Sequence, residues 1–271
     1  MECKIVGESS FCHELNSILS QFPERSTLFY LHGEKFTGKN YFAQLFCAKH
    51  GLVPISIKPQ SNLDDLYYRE LQEEIKRVFE KGTIVCLILE DCDTQFKLVR
   101  DALAMLRQQL TKSVVFNIST QFRSDILKLF DLNSINYKEI HFPPLRDRKQ
   151  DIVPLLEHLY QLNHKQSLQI QEEAKRALML YNWPDNILEV NRLILEHSQG
   201  VMTIYTLPEK FFITKIECDF SPSFTVSDTS LFLWQARLKK LTRGGLSTEA
   251  IAQHLDLSPR ALRFLKILTK L

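Results

Sequence analysis

No stretch of the 271 residues is apolar for long enough to cross a membrane, and Met1-Glu2-Cys3-Lys4 lacks the apolar core of a secretion signal. The six cysteines (Cys3, Cys12, Cys47, Cys86, Cys92 and Cys218) form no C-x-x-C pair. That spacing argues against zinc binding or a disulfide framework, and for buried free thiols in a reducing compartment. The eight histidines are scattered, and none stands at metal-ligand spacing from a neighbouring Cys or acid. No Ser-His-Asp or Cys-His arrangement emerges either. Repeats and low-complexity tracts are missing as well. What remains is the expectation of a soluble, cytoplasmic protein with no metal cluster and no membrane contact.

What is present points to two or three domains, since 44% hydrophobic content over this length can fill a large core. The overall charge of +2 conceals an asymmetry. From Leu231 to Leu271 eight basic residues face two acidic ones, leaving +6 on the tail and −4 on the remainder. A basic tail on a mildly acidic body suggests a polyanion-binding module.

The most informative run is Gly33-Glu34-Lys35-Phe36-Thr37-Gly38-Lys39-Asn40, which has the G-x-x-x-x-G-K spacing of a phosphate-binding loop. An apolar strand candidate, Leu28–Leu31, precedes it and a helix candidate, Tyr41–His50, follows. In that context glycines let backbone N–H groups surround phosphate oxygens, and Lys39 reaches the terminal phosphates. Gly33, Glu34, Phe36, Thr37, Gly38, Lys39 and Asn40 are the candidate nucleotide contacts. Asn40 stands where a Ser or Thr hydroxyl normally meets magnesium, so binding of ATP or another nucleotide is better supported than Mg²⁺-dependent hydrolysis.

Further strand candidates are Val53–Ile57, Ile84–Leu89, Ser113–Ile118 and Tyr137–Phe142, alternating with helical stretches such as Leu63–Lys81 and Gln95–Leu110. That alternation predicts an α/β fold with a parallel sheet. Ile84–Leu89 runs into Glu90 and Asp91, the candidate catalytic pair: one acid for magnesium, the other for the attacking water. Their order, Glu before Asp, reverses the usual one.

Pro143-Pro144 ends the alternation. The expected organisation is a nucleotide-binding domain over residues 1–150, an all-helical lid over 151–212, a linker over 213–229 and a helical module over 230–271. In the last, Leu246–Leu265 has the form of a helix-turn-helix. Ser247 or Thr248 caps its first helix, Ala250, Ile251 and Leu255 pack inward, and Leu257 fills the turn. Ser258 caps a second helix opened by Pro259. Ser258, Arg260, Arg263 and Lys266 are the candidate contacts to double-stranded DNA, Arg260 for base edges and Lys266 or Lys270 for phosphates. Leu231–Trp234, Leu238 and Leu241 are expected to build a dimer-forming helix. The rival reading of this tail is a hairpin for self-association.

Four blocks carry a family resemblance: Ile5-Val6-Gly7-Glu8-Ser9, Gly33–Lys39, Pro143-Pro144-Leu145-Arg146-Asp147-Arg148-Lys149-Gln150-Asp151-Ile152, and Trp183-Pro184-Asp185-Asn186. In that order they resemble the AAA+ domain of bacterial enhancer-binding proteins, the NtrC-type activators of sigma-54 RNA polymerase, from about Ile5 to Phe212. Such proteins usually end in a Fis-like helix-turn-helix. The resemblance implies an AAA+ P-loop domain with a parallel sheet, a small all-α lid and an all-α DNA-binding tail. It also implies a homo-oligomer, or a hetero-oligomer with a related activator, and contact with RNA polymerase.

This chain departs from that pattern. The interval from Gln60 to Thr83 lacks the Gly-Ala-Phe-Thr-Gly-Ala loop that engages the sigma factor. The two trans-acting arginines fall on Lys128 and Ser134, the lid arginine falls on Leu188, and Asp185 replaces a glycine. Ser119-Thr120 matches the polar sensor at the end of the fourth strand. Loss of an arginine finger costs roughly 10³–10⁵ in rate. A regulator with a degenerate AAA+ module is therefore expected, with any signal reaching that module directly because nothing resembling a receiver domain lies ahead of Ile5. Two rivals stand beside it. One is an active ATPase that remodels polymerase, with Arg146 or Arg123 acting in trans. The other is a non-enzymatic adaptor paired with an intact activator.

Overall fold

A computed structural model of the chain describes residues 4–57, 73, 85–90, 113–119, 136–212 and 228–271. The expected helices over Leu63–Lys81 and Gln95–Leu110 fall almost wholly outside these residues, as do Asp91, Thr120, Arg123, Lys128, Ser134 and the linker up to residue 227. Two compact units divide the chain: Met1–Asp151 with Pro184–Glu189, and Ile152–Trp183 with Val190–Leu271.

The first unit holds helix α1 (Ser10–Ser20), strand β1 (Thr27–His32), helix α2 (Lys39–His50) and strands β2 (Val53–Ile57), β3 (Val85–Glu90), β4 (Ser113–Ser119) and β5 (Asn136–His141). The five strands match the expected ones to within a residue. They form a parallel sheet in the order β2-β3-β4-β1-β5. Alternation along the strands puts Phe29 and Leu31, Cys86 and Ile88, Val114, Phe116 and Ile118, and Ile140 on one face. That face packs with Cys12, Leu15 and Leu19 of α1 and Phe42, Ala43 and Phe46 of α2 in one apolar core. The chain crosses between sheet edges around β1, so the loop after β1 opens at the carboxyl ends of the strands, where α/β sheets bind ligands.

In the second unit α3 (Ile152–His164), β6 (Gln169–Ile170), α4 (Glu172–Leu180), most of α5 (Asn186–Glu196) and β7 (Val201–Met202) precede a single turn at Glu209–Phe212. The lid expected to be all-helical over 151–212 is helical but for one short ladder. Gln169–Ile170 and Val201–Met202 pair as a two-stranded parallel ladder, too short to leave a period-2 signal in sequence. The helix after Pro184 begins at Asn186. Trp183 is fully buried, its indole N–H donating to the Leu178 carbonyl at 2.9 Å, with Tyr181 and Phe211 against its ring.

Helices α6 (Asp228–Arg243), α7 (Thr248–His254) and α8 (Pro259–Leu268) complete this unit. Ser247 caps α7 by accepting from the Ala250 amide, and Ser258 caps α8 by accepting from Ala261. Trp234, Leu238 and Leu241 of α6 are buried with Ile251, Ala252, Leu255, Leu262 and Leu265. Three of the side chains expected on a dimer-forming helix thus pack inside one chain, while Leu231 and Phe232 of that helix stay half-buried. Ala252 takes the inward place expected of Ala250, which is half-buried.

Candidate functional site

The Gly33–Asn40 segment joins β1 to α2 as a tight loop. Gly33 (φ 141°) and Gly38 (φ 106°) take conformations that L side chains rarely adopt. A Cβ on Gly33 would lie 2.3 Å from the Phe142 carbonyl oxygen, so the glycine lets β1 and the end of β5 converge on the loop. Gly38 caps α2 with no side-chain acceptor, which leaves the helix start open toward an anion. Lys39 is buried at the first position of α2, and its ammonium donates to the Gly33 carbonyl at 2.7 Å and the Glu34 carbonyl at 2.5 Å. Thr37 is buried and donates to Glu34 O at 3.0 Å. Asn40 follows in the first turn of α2. This arrangement fits a nucleotide phosphate: open glycine backbone, a helix N-terminus and a lysine at the loop's centre.

Phe36 breaks the pattern of small residues. It sits at φ 60° with its ring about half exposed, a left-handed conformation that costs a non-glycine residue about 1–2 kcal/mol. Its neighbours hold it there. The Ile187 amide donates to the Phe36 carbonyl at 3.1 Å, and Asn186 Nδ2 donates to the Lys35 carbonyl at 3.0 Å. Asn186 Oδ1 accepts from the Leu145 amide at 2.7 Å. One buried amide side chain therefore ties the loop to the turn after Pro144. Asn186 itself is at φ 47° and Trp183 at φ 49°, whereas Asp185 between them is not among the left-handed residues, so an aspartate there carries no such strain.

Arg146 and Arg148 both close on the loop from within the chain. Arg146 pairs with the Glu34 carboxylate, with Nη1 to Oε2 at 3.0 Å and Nη2 to Oε1 closer still. Hydrogen bonding from Arg146 holds the Glu34 carboxyl below its usual range. Arg148 is buried and donates from Nη2 to the Thr37 carbonyl at 2.7 Å. Asp151, also buried, accepts from the Glu8 and Ser9 amides at 2.8 Å, from Ser9 Oγ at 2.7 Å and from Cys12 Sγ at 3.2 Å. Gly7 is required beside it, because a Cβ there would come within 2.5 Å of Asp151 Oδ1. Burial pushes the Cys12 thiol up to about 11, so it stays a neutral donor. The described cysteines Cys12, Cys47 and Cys86 are free and buried.

For the catalytic pair, Glu90 is the last residue of β3, while its side chain and Asp91 lie outside the described residues. Ser119 is buried at the end of β4 and pairs in register with His32, one residue before the loop. Leu188 is half-buried on α5.

In the tail, Ser258 begins α8 and Arg263 is exposed on it. The side chain of Arg260 lies outside the described residues. Lys266 is half-buried and donates to Thr248 Oγ1 at 3.3 Å, bridging α8 to α7. The four cations of α6 have a role that charge counting misses. Arg237 contacts Glu209, Lys239 contacts Glu173, Lys240 donates to the Tyr205 and Leu207 carbonyls, and Arg243 lies over the Tyr205 ring. Glu209 carries no motif that would have marked it. Arg148, Asp151 and Asn186 stood in recognisable blocks, but only coordinates assign them partners.

A family profile described as the AAA+ ATPase lid domain matches residues 146–218. The transcriptional regulatory protein XylR of Pseudomonas putida is 36% identical over 78 residues, covering 27% of this chain and 13% of that protein. The Nif-specific regulatory protein of Klebsiella pneumoniae is 30% identical over 142 residues, 48% of this chain and 27% of that one. The chain thus spans well under a third of these curated relatives. Among solved structures, NtrX of Brucella abortus in complex with ATP superposes with a TM-score of 0.55 at 17% identity, covering 98% of this chain and 69% of that chain. The fold is AAA+-like, with a five-stranded parallel sheet and a helical lid. The AAA+ domain is distantly related to those of sigma-54 enhancer-binding proteins.

Proposed function

We propose that this chain is a DNA-binding transcription regulator whose degenerate AAA+ module binds ATP or another nucleotide, without hydrolysing it and without remodelling sigma-54 polymerase. The observation that carries the nucleotide reading is the formed phosphate loop, with Lys39 at its centre and Gly38 leaving the start of α2 open. Gly33, Gly38 and Lys39 would hold the phosphates, with Glu34, Phe36, Thr37 and Asn40 forming the rest of the cradle. A bound nucleotide would supply its phosphate charge to that cradle. Degeneracy is supported by sequence: Lys128, Ser134 and Leu188 stand where arginines would act, and neither lysine nor leucine offers a planar fork to a transferring phosphate. Glu90 and Asp91 would then be remnants of a catalytic pair.

DNA binding rests on the Ser258-capped α8, with Arg260 near its N-terminus and Arg263 exposed one turn on, where recognition helices meet base edges. Assembly with itself, with a related activator or with RNA polymerase belongs to the same reading. Arg146, one of the arginines that the active-ATPase alternative would use in trans, pairs with Glu34 of its own loop, which favours the first reading.

Nucleotide binding and turnover on one purified sample, with Lys39→Ala as control, test this. Micromolar ATP binding that Lys39→Ala abolishes, without turnover, is the expected result. Turnover above about one per minute, far over the uncatalysed rate, would make the chain an ATPase instead.

A further inference from the structure

We propose that Glu173 and Glu209 form an intramolecular anion site that holds Lys239 and Arg237 of α6, and that duplex DNA and these two carboxylates compete for those side chains. The proposal rests on the DNA-binding reading above. All four basic residues of α6 face the preceding part of their own unit. Arg237 reaches Glu209 Oε1 with Nε at 2.7 Å and Nη2 at 2.6 Å. The other carboxylate oxygen of Glu209 lies 2.9 Å from His254 Nε2 on α7. One carboxylate therefore joins α6 and the first helix of the helix-turn-helix, α7, to the turn at Glu209–Phe212. Lys239 meets Glu173 of α4 at 3.2 Å, and Lys240 caps the carbonyls of Tyr205 and Leu207. Arg243 sits 4.1 Å over the Tyr205 ring, and in the reverse direction Arg176 of α4 sits 4.3 Å over Phe232 of α6.

A carboxylate and a phosphodiester present the same chemistry to these cations: a single negative charge shared over oxygens that accept from N–H donors. Partial burial works against the charge on Glu209, yet hydrogen bonds from His254 and Arg237 outweigh it and hold the carboxyl below its usual range. The Arg237–Glu209 pair, with side-chain exposures of 14% and 29%, is the better shielded from salt; Lys239–Glu173, at 30% and 54%, is the weaker. In this docked arrangement the exposed cations among the described residues of the tail are Arg243, Arg263 and Lys270, while Arg237, Lys239 and Lys240 are engaged within the unit. Release of α6 would add up to those three.

The test uses the full chain and a mixed-sequence duplex, with E209Q and E173Q/E209Q beside the wild type. Two readouts are needed: amide hydrogen exchange across α6, and duplex affinity as a function of salt. The double variant should exchange faster at α6, bind the duplex about tenfold tighter at low salt, and show a steeper salt dependence by about 0.9 per added phosphate contact. Unchanged exchange would overturn the proposal by showing that the carboxylates do not hold α6. Faster exchange with unaltered affinity and slope would overturn it by showing that the released cations do not meet DNA. A wild type and variants that all fail to bind the duplex would overturn the DNA reading itself, and this proposal with it. R237Q adds a check, since it should loosen α6 while gaining less affinity than E209Q.

Discussion

Arg148 donates from Nη2 to the carbonyl of Thr37 at 2.7 Å, joining the turn before α3 to the phosphate loop across 111 residues of sequence. Its Nη1 lies 3.8 Å from Asp151, whose carboxylate gathers Glu8, Ser9 and Cys12. The pair is buried, so removing either partner leaves an uncompensated group in the interior. Asp151→Ala should cost the first unit about 3–5 kcal/mol, and Arg148→Lys, which keeps the charge but loses the fork, about 1–3 kcal/mol. Urea unfolding of both variants checks the order; equal stability to wild type would refute it.

Gly33 admits no side chain. Its substitution by alanine puts a Cβ 2.3 Å from the Phe142 carbonyl oxygen, at a backbone angle alanine avoids. Gly33→Ala should destabilise the first unit by about 3 kcal/mol, and Gly51→Ala, where nothing lies within 4 Å, should cost only the strain of its φ of 64°. Differential thermal unfolding separates the two.

Phe36 is the converse case. Glycine at that position relieves the left-handed strain and gives up only a half-exposed ring. Phe36→Gly should therefore stabilise the chain by about 1 kcal/mol, and nucleotide affinity should hold or rise. A lower urea midpoint would mean that the ring contributes packing.

Stability should fall with acid. Burial lowers the pKa of His197 and of His32, and His197 Nε2 is shut from water without a hydrogen-bond partner. Both rings are neutral when folded but take up a proton near pH 6.5 when unfolded. The unfolded state then binds more protons, so stability is full above about pH 6.5 and declines below it, toward the lowered folded values. Urea midpoints from about pH 7.5 down to about 5.5 should fall, and His197→Gln should flatten the decline.

The sequence alone determined the α/β alternation and the strands to within a residue, because buried parallel strands read as apolar runs whatever covers them. It also determined the phosphate loop, since glycine spacing and a following helix are local requirements, and the Ser258 cap of the helix-turn-helix, while it left Ser247 and Thr248 as alternatives for the other cap. Charge and hydrophobicity, by contrast, name no partner. The tail's cations read as a DNA surface, yet four of them meet Glu173, Glu209, the Tyr205 ring and nearby carbonyls; Trp234, Leu238 and Leu241 read as a dimer face, yet fill their own unit's core. Only tertiary structure decided those pairings, and with them the convergence of Arg146, Arg148 and Asn186 on the loop. A side chain's type fixes what it can bond, while which group comes within about 3 Å of it depends on the path of chain that lies from 28 to 151 residues away.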